Sequence, residues 1–165
     1  MPHDFTGWIH TLAALVALVS GSLILAKTKG TRWHRRTGRV YGIAMLTVCA
    51  TSFMIYRLHN SFGILHFFAL VSTITLILGM LPLYRKGVKN AIVRHLAWMY
   101  WSVIGLYSAF IAEILTRVPR LVGIDTNFGM FYGIVGLSAG LVGFIGAYYF
   151  KRKIGNWEEA YGWVK

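Results

Sequence analysis

Four stretches of this chain are apolar for roughly twenty residues each, and three segments rich in Lys and Arg break the series. A fifth, 40–56, is shorter, and its helix is expected to begin in the basic segment near Trp33 with arginines snorkelling. A helix needs about twenty predominantly apolar residues to cross the hydrocarbon layer of a bilayer. The runs therefore predict helices over about 7–26, 33–56, 64–83, 95–115 and 128–150. Hydrophobic residues make up 56% of the 165 and charged residues only 13%, about half the share of an ordinary soluble domain. The expectation is an all-α integral membrane protein with a single transmembrane domain and five transmembrane helices. The first run has no basic leader and no small-residue cleavage pattern, so it is expected to be retained as a helix.

The distribution of charge gives the expected orientation. Segment 27–39 holds six Lys or Arg residues, segment 84–94 holds four and the tail after Phe150 holds four, against three (Arg57, Arg117 and Arg120) elsewhere. Cytoplasmic loops carry the excess of Lys and Arg, which predicts an N-out/C-in, multi-pass protein of the cytoplasmic (inner) membrane. The net charge of +12 is spread over these loops instead of forming one patch, so nucleic acid is not an expected partner. The lipid bilayer is, and the cationic loops would attract anionic head groups or an anionic donor. Tyr56, Trp8, Trp33, Trp157 and Trp163 fall near the expected boundaries, where interfacial aromatics belong. The lone Cys49 excludes an intramolecular disulfide and a cysteine-based metal cluster.

Helices one to four, joined by short loops, are expected to form an up-and-down four-helix bundle, with a glycine-rich fifth helix beside it. Gly129, Gly133, Gly136, Gly140, Gly143 and Gly146 recur at spacings of three and four, a pattern suited to close helix packing and to homo-oligomers through helix five. Each of the first four helices carries one histidine near an end. His10 and His66 belong to the outer ends of helices one and three, and His34 and His95 to the inner ends of helices two and four. In such a bundle each pair is diagonal and matched in depth. Bis-histidine ligation of haem b needs two imidazoles at one depth, and two such sites would make a transmembrane electron path. Small residues one turn on, Ala14 after His10 and Gly38 after His34, suit a flat macrocycle. His3 and His59 are expected in outer-side loops.

Glu113 is the carboxylate at membrane depth, a position that calls for pairing, protonation or a metal. It lies eighteen residues after His95, about five turns, so both occupy one helix face at opposite depths. Ser52 stands in the same relation to His34. The outer end is therefore expected to gather His10, Ser52, His66 and Glu113. As a proton relay Glu113 would accompany haem, pairing with Arg117 or Arg57; as a ligand with His10 and His66 it would hold zinc or another divalent metal, for hydrolysis or metal handling. A third reading is a non-catalytic subunit or assembly partner. Tyr41, Ser102 and Met99 follow His34 and His95 by one or two turns and would line the inner site. No GxSxG, HExxH, P-loop or GxGxxG pattern has a supporting context, and whether the chain is an enzyme stays open.

The strings KGTRWHRRTGRVYGIAM (Lys29 to Met45), SFGILHFFAL (Ser61 to Leu70) and HLAWMYWSVIGLYSAFIAEILTR (His95 to Arg117) resemble a bacterial family of small membrane proteins classed as a domain of unknown function. A weaker resemblance is to cytochrome b561-type transmembrane haem proteins, which pair histidines on alternate helices. It implies ligand roles for His10 with His66 and for His34 with His95, and the electron-transfer reading adds a quinone, quinol or other redox partner.

Overall fold

The computed structural model of the protein describes residues 5–55, 63–125 and 127–161. His3, Tyr56, Arg57, His59 and Trp163 lie outside the described residues, as does the side chain of Arg120. The described chain is all-helical. Five long helices form: α1 Phe5–Ala26, α2 Arg32–Ser52, α3 Ile64–Tyr84, α4 Ala91–Leu115 and α6 Phe128–Tyr161, with the single turn α5, Val118–Leu121, between the last two. Four of them, α1, α3, α4 and α6, are long and apolar enough to cross a membrane. The fifth expected span, α2, falls short of that standard because Arg32, Arg35, Arg36 and Arg39 occupy its first eight residues.

The helix ends follow local hydrogen bonding more than hydropathy. Thr31 caps α2, its hydroxyl accepting the His34 N–H at 3.0 Å, an arrangement worth about 1 kcal/mol. At the other end α2 stops at Ser52, short of residue 56, and Phe53 and Met54 turn away from it. There the Thr51 and Ser52 hydroxyls bond carbonyls of the last turns, at Thr47 and Val48. Gly30 and Gly87, in the turns after α1 and α3, have φ of 78° and 77°, the left-handed conformation that costs glycine least. α4 starts four residues before His95, at Ala91, and α6 continues eleven residues past Phe150.

Two compact units make up the chain, Met1–Ile77 and Leu78–Lys165. In the first, α1 and α2 pack as a hairpin, with Ala17, Leu18, Gly21 and Ile24 of α1 buried at helical spacing and Tyr41, Ala44, Met45 and Val48 of α2 likewise. In the second, α4 packs on α6. The Tyr100 hydroxyl donates to the Gly146 carbonyl at 2.8 Å, a contact that needs the helices close together. A Cβ on Gly146 would sit 2.8 Å from Ile104 Cγ2. Tyr100, Trp101 and Phe150 stack beside this crossing, and Trp157 joins Tyr100 and Phe150, which carries α6 beyond its apolar run.

Of the α6 glycines only Gly146 meets a neighbouring helix this way; Gly133, Gly136, Gly140 and Gly143 open on empty space among the described residues. The same helix exposes Leu137 (77%) and Phe144 (74%), which suits a lipid solvent. Gly146→Val should therefore destabilise the protein by about 1–3 kcal/mol through overpacking, while Gly140→Val should leave it near wild type. Thermal unfolding of the two variants in detergent checks the contrast, and equal effects would contradict this packing.

Candidate functional site

In the first unit, α1 and α3 both bring a histidine to the C-terminal end of α2. His10 Nδ1 lies 2.9 Å from Thr51 Oγ1. The Thr51 hydroxyl also reaches the Thr47 carbonyl at 2.7 Å and the Val48 carbonyl at 3.0 Å, so it ties the His10 ring to the last turn of α2. His66 is buried, 5% exposed, as the third residue of α3, and its Nδ1 accepts the N–H of Gly63 at 3.2 Å. An imidazole here fills the place of the Glu or Gln in a capping box. Neutral His66 thus carries its proton on Nε2, with its ring 6.4 Å from that of Phe53. Ser52, between Thr51 and Phe53, turns its hydroxyl to Val48 at 2.8 Å. At the start of α2, His34 is half-buried and Tyr41, two turns on, is fully buried.

In the second unit, His95 donates from Nδ1 to the Gly79 carbonyl near the end of α3, at 2.7 Å. Nε2 then keeps its lone pair. Met99, one turn along α4, packs on the same glycine: a Cβ there would lie 2.7 Å from Met99 Sδ. Ser102, two turns along, is 1% exposed. His95, Met99 and Ser102 therefore form one stripe on α4, as their spacing of four and three requires. At the far end of α4, Glu113 forms an ion pair with Arg117 one turn on, both side chains more than half exposed. Among the described residues no three His, Cys, Asp or Glu side chains stand together as a metal-binding group.

The sequence profile of one family, described as predicted membrane protein (DUF2306), matches residues 7–152. The chain belongs to that family. The match runs from the first turn of α1 through the apolar part of α6, and it bears out the resemblance to a domain of unknown function. It makes the chain a multi-pass membrane protein. No curated protein and no solved structure matches the chain, and nothing found supports the likeness to cytochrome b561-type proteins.

Three partners in this DUF2306 protein escaped sequence reasoning: Thr51, Gly79 and Phe53. A five-turn spacing singles out Ser52, yet its neighbour Thr51 faces α1, because adjacent residues on a helix point about 100° apart. A backbone acceptor such as the Gly79 carbonyl has no residue-type signature; the nearby Pro82, which leaves the Leu78 carbonyl without its helical donor, is the one local hint. Thr51→Val in this DUF2306 protein should cost about 1–3 kcal/mol, because the buried end of α2 loses its hydrogen bond with His10. Glu113→Gln should cost less than about 1 kcal/mol, the worth of an exposed pair one turn apart. Chemical unfolding in detergent compares the two, and the opposite ranking would contradict these roles.

Proposed function

We propose that the chain is a transmembrane electron-transfer protein that binds haem b through its membrane-embedded histidines. One-electron transfer would run between a quinol or cytoplasmic donor and an acceptor on the outer side. The observation that carries the reading is the bond from His95 Nδ1 to the Gly79 carbonyl. Histidines that ligate a metal commonly donate their other ring N–H to a carbonyl or carboxylate, which fixes the tautomer and presents the second nitrogen as the ligand. His10 is held through the same ring nitrogen, Nδ1, by Thr51. His66 has the tautomer opposite to that of His95, so ligation through its Nε2 would give up the cap on α3. Haem b supplies the ferric/ferrous couple; the chain supplies the oriented imidazole and low-dielectric surroundings.

The topology within this proposal is N-out/C-in with five crossings. Placing segments 27–39, 84–94 and 151–153 on one side requires α2 to cross as well, its arginines reaching the head-group layer along their own stems. Glu113, paired with Arg117 near the outer end of α4, suits a role at the surface where coupled protons leave. The zinc alternative has less behind it, given that pairing and the lack of a three-residue ligand group among the described residues.

The assembly-partner reading keeps one observation of its own, the open glycines of α6. It expects Gly136→Leu to abolish co-purification of a partner while replacement of the histidines changes nothing. The haem reading expects a Soret band in the absorption spectrum of protein purified in detergent after expression with ample haem, and loss or shift of that band in His95→Ala. Protein folded as wild type but without a Soret band would overturn it.

A further inference from the structure

The first two turns of α2 hold Arg32, Arg35, Arg36 and Arg39, at spacings of three, one and three, all exposed. Residues three, four and seven apart share a helix face, so the four guanidinium groups form one stripe. Within the chain that stripe is electrostatically unfavourable. Like charges at such spacings repel, and the stripe starts at a helix N-terminus, the positive end of the helix dipole, with no acid in the first turn. No Asp or Glu occurs anywhere from residue 5 to residue 112. An anion from outside the chain resolves the repulsion.

The depth of the stripe identifies that anion. The apolar remainder of α2, Val40–Ser52, rises about 20 Å, against about 30 Å of hydrocarbon. With α2 crossing as proposed above, arginines at its start would reach the lipid phosphates along their stems, beside Trp33, an exposed aromatic of the interfacial type. The guanidinium fork matches phosphate oxygens two at a time, which a lysine ammonium does not. The other basic segments lack this geometry: Arg85, Lys86 and Lys89 lie in the turn between α3 and α4, on no helix face. Lys151, Arg152 and Lys153 are consecutive and so point in different directions around α6, and the Arg152 guanidinium is engaged by Tyr148, lying 4.3 Å from its ring centre and bonding its hydroxyl. Lys29 is turned to carbonyls at the end of α1, among them those of Leu25 and Lys27.

We propose that the arginine face of α2 binds the head groups of anionic phospholipids. This rests on the proposed crossing of α2 and not on haem or electron transfer. The test adds phosphatidylglycerol or phosphatidylcholine to the full-length protein in detergent and follows both thermal stability and lipid retention by native mass spectrometry. Phosphatidylglycerol should stabilise the wild type and be retained, and phosphatidylcholine should not. Arg35→Gln with Arg36→Gln should weaken phosphatidylglycerol binding roughly thirtyfold, the loss of two cations at an anionic surface. Lys151→Gln with Lys153→Gln should leave it within a few-fold. Equal effects of the two lipids on the wild type, or equal losses in the two double variants, would overturn the proposal. Inorganic phosphate reproducing the stabilisation would overturn it too, by marking a site for a free anion.

Discussion

Hydrocarbon offers no hydrogen bonds, so a polar group placed in it must find its partner within the protein. Every long helix here obeys that constraint through its hydroxyls. Ser20, Ser22, Thr47, Ser52, Thr73, Ser108 and Ser138 each donate to a carbonyl three or four residues back on their own helix. Such bonds hold no two helices together. Contacts between helices fall to close packing of small residues and to a few side chains long enough to reach across, which is the usual situation where lipid tails are as apolar as leucine. Tyr100 reaching the Gly146 carbonyl does this in the second unit, and His10 reaching Thr51 does it in the first.

Under that constraint an imidazole is structural glue and candidate ligand at once, and its tautomer shows the balance between the two. His66 uses its Nδ1 lone pair to cap α3, a job that ends when another group takes over the proton distribution of the ring. His95 spends its Nδ1–H on a carbonyl, which holds the ring and leaves Nε2 its lone pair, while His10 meets a hydroxyl that can donate or accept. The four histidines looked alike as residues near helix ends. Their surroundings divide them.

Four of the five long helices were legible because apolar runs of about twenty residues have one physical outcome in lipid, and α2 was legible as a shorter apolar run extended into a basic segment. Their ends were less so. Hydropathy measures partitioning, whereas α2 ends where the Phe53 and Met54 N–H groups turn onto the Cys49 and Thr51 carbonyls, and α6 runs on with Trp157 set edge-on to Tyr100 and Phe150. The helical stripe of His95, Met99 and Ser102 followed from spacing alone, as did the pairing of Glu113 with Arg117. Glycine was the residue whose role spacing misjudged: six on one helix suggested a packed face, yet the close approach to α4 is made at Gly146. A glycine permits contact without specifying it, so only the partner's position decides.

The central claim is that His95 is held as a ligand-type imidazole while His66 serves α3 as a cap. Nitrogen-15 NMR of the histidine-labelled, haem-free protein in membranes, assigned with single His replacements, measures both tautomers directly. The account predicts a protonated Nδ1 and a lone-pair Nε2 at His95, with the opposite pattern at His66. A protonated Nε2 at His95, or the same tautomer at both residues, would contradict it.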